Sequence, residues 1–204
     1  MNAGELNSDS PAHEPSDPIH DTLGILGARR TMSRISQDQI RRRLDEAEGY
    51  LLLELPLRSL EILESRADWA GMQFEACLLK GEALRELNRY REALKPLEMA
   101  SALRPADSRV ALALGWCYKR TNRLAQAIDS LERVAREQPG DALIHYNLAC
   151  YWSLAGTASK AIEALATALE LNPELRGLVP LEADFDRLRG NPDFERMVPG
   201  RAPA

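Results

Sequence analysis

Aromatic residues make up only 5 % of this 204-residue chain, and there are just three cysteines, Cys77, Cys117 and Cys150. Odd in number and without a C-x-x-C pair, these cysteines argue against a disulfide framework or a dithiol redox site and are expected to be reduced, buried thiols. Long apolar runs are missing. The longest near the front, Tyr50 to Leu53, falls far short of the roughly 20 residues that cross a bilayer. Met1 to Pro18 has neither a basic start nor an apolar stretch, so no secretory signal is read there and a cytoplasmic location is expected. Positive charge is in deficit as well. A net charge of −5 gives no general attraction for nucleic acid. The one basic stretch, Arg41 to Arg43 with Arg29, Arg30 and Arg34 before it, reads as the solvated start of a helix. No H-E-x-x-H, phosphate-binding glycine loop or nucleophile elbow occurs. His13 and His20 fall in an N-terminal tail. His145 stands in a packing column shared with Cys77 and Ala111, where a core or half-buried side chain is expected. His145 and Cys150 are five residues apart, a step that does not share a helix face, so a metal site built from them and Cys117 is not expected. No enzymatic activity, cofactor or metal is predicted.

Apolar residues are plentiful, at 45 %, and Ala and Leu dominate the second half, a bias that favours helix. Residues 1–35 read as a disordered tail, because SDSPAHEPSDP cannot bury enough apolar surface to offset the entropy of ordering it. Ile19, Leu23, Ile25 and Leu26 interrupt that polarity as a linker or a short adhesive segment. Helical periodicity begins near Ser36 to Asp38, ahead of Ile40.

The decisive pattern is a spacing of 34 residues. It links Gly81, Gly115 and Ala149, then Leu84, Tyr118 and Trp152, then Ala93, Ala127 and Ala161. It also links Leu97, Leu131 and Leu165, then Ala100, Val134 and Ala168, then Pro105, Pro139 and Pro173. One step back, Ala47, Tyr50, Ser59 and Leu63 occupy the matching small and large columns, while Gly71 stands where proline is expected. The units are therefore about 40–73, 74–107, 108–141 and 142–175, each divided into two helices by a turn at Asn88, Asn122 or Gly156, residues that tolerate left-handed backbone. Pro96 predicts a kink or a late start in its helix. Two such helices cannot cover their own apolar faces and become stable only by stacking on a neighbour. The small columns are read as letting the helices of a pair approach closely, so a bulky residue at position 127 would cost about 1–3 kcal/mol.

GEALRELNRYREALKPLEMASALRP, LGWCYKRTNRLAQAIDSLERVAREQP and LACYWSLAGTASKAIEALATALELNP resemble the tetratricopeptide repeat family. The resemblance covers residues 40–175 and departs at Lys80, where Leu is usual, and in the first unit. EADFDRLRGNPDFERM resembles the capping segment that follows such arrays, with Leu181, Phe185, Leu188 and Phe194 covering the last apolar face and Asp184, Asp186 and Arg189 in water. Glu182, Asp184 and Asp186 are accordingly read as part of a cap and not as catalytic carboxylates. The resemblance implies an all-α fold, a right-handed α-solenoid of antiparallel helix pairs over residues 36–198, with a C-terminal capping helix in 176–198 and a disordered end at 199–204.

In such an array the first helix of each unit lines the inner, concave side, and the positions not used for packing face that groove. The candidate peptide-binding residues are Glu75, Leu79, Glu82, Arg109, Ala113, Trp116, Lys119, Arg120, Tyr146, Asn147 and Cys150. Leu78, Arg85, Glu86, Leu112, Leu143 and Ser153 lie in the same columns, and the first unit contributes Arg41, Leu44, Asp45, Glu48 and Leu52. Trp116 and Tyr146 are the expected anchors, since such rings concentrate binding energy. The resemblance implies that Asn147 hydrogen-bonds a peptide backbone. Acids gather at the front of the groove and bases follow, which predicts a ligand with basic character at one end and acidic character at the other. The first unit holds Leu44 and Glu48 where chaperone-binding relatives hold a carboxylate clamp, so that role is not expected. The function expected is a non-enzymatic adaptor or scaffold that binds a protein or peptide. The alternative is a bacterial secretion-type chaperone shielding an apolar client. Neither nucleic acid nor membrane insertion is expected, and self-association through the N-terminal tail is a further possibility.

Overall fold

The computed structural model describes residues 37–66 and 68–198. The tail at 1–35, its apolar segment Ile19–Leu26 and the end at 199–204 lie outside the described residues. The chain divides into Met1–Gln39 and Ile40–Ala204, and the second part holds the array.

The array is an all-α solenoid. Four antiparallel pairs follow one another: α1 (37–52) with α2 (Pro56–Glu64), α3 (Gln73–Glu86) with α4 (Tyr90–Leu103), α5 (Ser108–Arg120) with α6 (Leu124–Glu137), and α7 (Ala142–Leu154) with α8 (Ala158–Leu171). No strand occurs among the described residues.

The turn inside each pair is the same piece of backbone four times. Glu54, Asn88, Asn122 and Gly156 have φ of 58°, 59°, 62° and 78°. The residue after each donates its N–H back across the helix end, Leu55 to Tyr50, Arg89 to Leu84, Arg123 to Tyr118 and Thr157 to Trp152, at 2.8–3.0 Å. This left-handed closure satisfies carbonyls that the helix leaves open. Asn and Gly accept it at low cost, and Glu54 is the exception. Between units, Asp107 and Asp141 cap α5 and α7 by accepting two backbone N–H groups each. The junction before α3 lacks such a side-chain cap. There α2 stops after 9 residues, Gly71 turns the chain with φ 79°, and Trp69 is buried in the space the short helix leaves.

The period sets the core. Ala93, Ala127, Ala161, Leu97, Leu131, Leu165, Ala100, Val134 and Ala168 are all completely buried. At Gly81 an added Cβ would sit 2.3 Å from Leu97 Cγ, so this glycine admits its partner helix within the unit. Gly115 does a different job from the one expected: its hypothetical Cβ lies 3.0 Å from Tyr151 Cε2, so it makes room for the first helix of the next unit. The helix that holds Pro96 starts at Tyr90, in step with Leu124 and Ala158 of its sisters, so the late start is not what forms. Buried Ala93, Leu97 and Ala100 hold it in place despite the missing amide donor.

The end is finished by more than one helix. Three 3₁₀ turns, Pro173–Gly177, Val179–Leu181 and Ala183–Leu188, lead into a short α9, Pro192–Met197. Leu175, Val179, Phe185, Leu188, Phe194 and Val198 are buried against the fourth unit. Two expectations fail here. Leu181 is 78 % exposed and covers nothing, whereas Asp184 is buried. The three-residue repeat of Ala183–Leu188 turns Phe185 and Leu188 to the same, inward side, whereas Leu181 ends a separate 3₁₀ turn, and Asp184 is held inward by its ion pair with Lys119.

Candidate functional site

The first helices α3, α5 and α7 lie side by side. Between them is a depression of about 360 Å³ lined by Glu82, Arg85, Arg109, Leu112, Ala113, Trp116 and Asn147. Helical spacing puts them there: Glu82 and Arg85, then Arg109, Leu112, Ala113 and Trp116, follow steps of three and four along one face. Ala113 is buried and forms the floor. Trp116 is 39 % exposed, large for an indole in a packed array. Burial pushes the Glu82 carboxyl above the usual carboxylate range, opposed by Arg85 and Arg109 and reinforced by Glu86 and Glu48. Arg109 pairs with Asp107 at 3.3 Å. Asn147 spends one amide hydrogen on Leu143 O of its own helix, at 2.9 Å.

The structure thus brings together Glu82, Arg109, Ala113, Trp116 and Asn147 from the candidate set, with Arg85 and Leu112 from the same columns. The remaining candidates lie elsewhere. Leu79 is buried against the first unit with Leu44 and Ala47, and Leu78 is buried as well, so both are core residues. Glu75 is tied to Arg104 at 2.7 Å, and Arg104 lies 3.8 Å from the Phe74 ring centre, an arrangement that joins the ends of α3 and α4. Arg120 lies 5.2 Å from the Tyr90 ring centre and faces the α3–α4 turn.

The wall of the fourth unit is closed by the chain's own cap. Tyr146 is 7 % exposed, with Phe185 edge-on at 5.7 Å. Cys150 is buried, and Ser153 donates to Asp184 O at 2.6 Å. Lys119 reaches from α5 to form a largely buried ion pair with Asp184 and lies 5.3 Å from the Trp116 ring centre. Tyr146 and Cys150 are therefore packing residues, and Lys119 is the staple between wall and cap. Nothing in the spacing of α7 shows this, because the covering residues arrive from about 31–39 positions later in the chain. The legible signal was the D-F pair at 184–185, read as a cap with its acid in water.

The cap also gathers potential ligands. Cys150 Sγ and carboxylate oxygens of Glu182 and Asp184 lie within 4.8 Å of one another. Both acids are engaged in the cap itself: Glu182 accepts the Asp184 N–H at 3.1 Å, and Asp184 holds Lys119. Burial, with those two carboxylates adding to it, raises the Cys150 thiol well above its ordinary value. Burial likewise lifts Cys117, to about 11. Both are protonated near neutral pH and unsuited to act as nucleophiles. His145, half-buried, hydrogen-bonds Pro139 O at 3.0 Å and stays apart from this group.

Among the described residues no helix is long and apolar enough to cross a membrane. No curated protein sequence matches the chain. The family description tetratricopeptide repeat matches residues 69–149. Among solved structures, "MamA 41-end from Desulfovibrio magneticus RS-1" superposes with a TM-score of 0.62 at 21 % identity, over 79 % of this chain and 94 % of that one. "MamA MSR-1 C2" gives 0.62 at 21 %, over 80 % and 95 %, and "Crystal structure of MamA" gives 0.62 at 20 %, over 76 % and 91 %. At these identities the likeness is one of fold. Period, paired helices, shared left-handed turns and the family match lead to one conclusion: residues 69–149 carry tetratricopeptide repeats.

Proposed function

We propose that the chain is an interaction scaffold that binds a polypeptide segment of a protein partner on the open wall formed by α3 and α5 and bordered by Asn147. The observation that carries this reading is Trp116. It is a large amphipathic ring left 39 % exposed, beside a small-residue floor at Ala113, in an array that buries the columns of Ala93, Leu97 and Ala100 completely. An exposed indole over an alanine floor offers apolar area at low entropic cost, and such anchors supply most of an interface's affinity. One acid, Glu82, and two bases, Arg85 and Arg109, border it, which would set the direction of a bound segment and its on-rate more than its affinity. The ligand that fits is short and extended, with one apolar side chain over Trp116 and Ala113 and its backbone within reach of Asn147.

The test is co-purification from a lysate with wild type, Trp116→Ala and Arg109→Glu as baits. Loss of the same band from both variants, with unchanged thermal unfolding, supports the reading. A partner retained at full strength by both variants rules out this wall as the binding surface.

A further inference from the structure

The turn between α1 and α2 exposes four leucines, more than any of its sister turns. Leu52, Leu53, Leu55 and Leu57 are 82 %, 69 %, 46 % and 60 % exposed. Because all four turns share one backbone geometry, each leucine has counterparts in register. Leu52 stands where Glu86, Arg120 and Leu154 stand, Leu53 where Leu87, Thr121 and Ala155 stand, Leu55 where Arg89, Arg123 and Thr157 stand, and Leu57 where Arg91, Ala125 and Ser159 stand. Leu87 and Leu154 are half-buried against the cores of their own units, whereas Leu52 and Leu53 are exposed; opposite Leu55 and Leu57 the sister turns form with Arg, Thr, Ala or Ser, so the fold does not require leucine at those two places. Pro56, at the first position of α2, stiffens the chain that presents the four side chains. A cluster of large apolar side chains held out in this way marks a docking surface.

The charges nearby select the occupant. Glu54 is the turn residue itself, and Glu48 lies one helical turn before Leu52 on the same face of α1, both exposed. Arg58, on the first turn of α2, is engaged by Glu61 at 3.0 Å and lies 5.8 Å from the Tyr50 ring centre. A second copy meeting this face about a two-fold axis would set the acids against their own counterparts. A segment with bulky apolar side chains bracketed by Lys or Arg would satisfy both the leucines and the acids. We infer that the α1–α2 turn is a docking surface for an apolar, basic segment of a partner protein, adjoining the wall at Trp116 but not using that ring.

The test uses the full chain and fluorescence anisotropy with a labelled synthetic peptide of leucines bracketed by lysines, beside a twin with every lysine replaced by glutamate. The variant combines Leu52→Glu, Leu55→Arg and Leu57→Arg. These are the residues of the second unit's turn, so the variant is expected to fold, and circular dichroism checks that it does. The expected result is binding of the basic peptide by wild type, about tenfold weaker binding by the variant, no binding of the acidic twin, and no change in Trp116→Ala. The inference is overturned if the variant binds as tightly as wild type, or if wild type binds neither peptide. It is also overturned if sedimentation shows a wild-type dimer that the substitutions dissociate, which would assign the turn to a second copy of this chain.

Discussion

The first and fourth units stand at the two ends of one array and are finished in opposite ways. The fourth keeps the regular chemistry of the repeat and is then sealed. Phe185 packs on Tyr146, Asp184 holds Lys119, and the wall that could have been a binding face becomes interior. The first departs from its sisters position by position. α2 has 9 residues where α4, α6 and α8 have 14. Ser59 replaces the alanine of Ala93, Ala127 and Ala161, and Glu54 replaces Asn or Gly in the left-handed turn. Its turn exposes Leu55 where Arg89, Arg123 and Thr157 stand in the sister turns. Uniform chemistry is therefore a demand on units that must fit a neighbour on both sides, the capped fourth unit included, and it relaxes in the first. The second and third units and the edge of the fourth line the depression at Trp116.

This contrast can be broken most forcefully at the sealed end. Phe185→Ala removes a fully buried ring and is expected to cost about 3–5 kcal/mol, read as a lower midpoint in thermal unfolding. An effect below about 1 kcal/mol would mean that the cap is not packed as described. Lys119→Met strands a buried carboxylate and should cost on the order of 3 kcal/mol in urea unfolding. Adding Asp184→Leu to that variant should recover part of the loss, since the charge left behind is then gone; no recovery would show that the pair does not act as a unit.

At the other end the same logic predicts gains. Ser59 is completely buried with its hydroxyl unpartnered, so Ser59→Ala should stabilise the chain by about 1 kcal/mol and make the first unit match its sisters. Glu54→Asn relieves a left-handed glutamate and should add about 1 kcal/mol, independently of Ser59→Ala. If both substitutions destabilise, the first unit's departures serve its own packing and the contrast between the ends is wrong. The smallest effect expected is on the open wall. Burial raises the Glu82 carboxyl in the folded chain, so the folded state holds its proton to higher pH than the unfolded one. Stability should then fall as pH rises from the usual carboxylate range through the raised value, and Glu82→Gln should flatten that stretch of the pH–stability profile.

The sequence made the interior easy to read. Six columns repeat without insertion, and each buried column is a steric requirement that shows in residue size alone, as at Ala93, Ala127 and Ala161. The turn residues Asn88, Asn122 and Gly156 were legible because few residue types accept positive φ, whereas Glu54 gave no such cue. The candidate wall was legible only in part. Helical spacing placed Glu82, Arg109, Ala113, Trp116 and Asn147 on one face, and these five line one depression. The same spacing placed Leu79, Tyr146 and Cys150 there too, and it carries no information about what lies on top of a face.

The amino-acid sequence by itself determined the number of helix pairs, their period, their core columns and the residues that turn between them, because these depend on size and backbone preference over a few neighbouring positions. The tertiary structure alone decided which part of the inner wall stays open. That outcome depends on a segment folding back onto α7 from the following part of the chain, with a lysine of one unit paired to an aspartate of the cap, and such long-range contacts leave no period in the sequence.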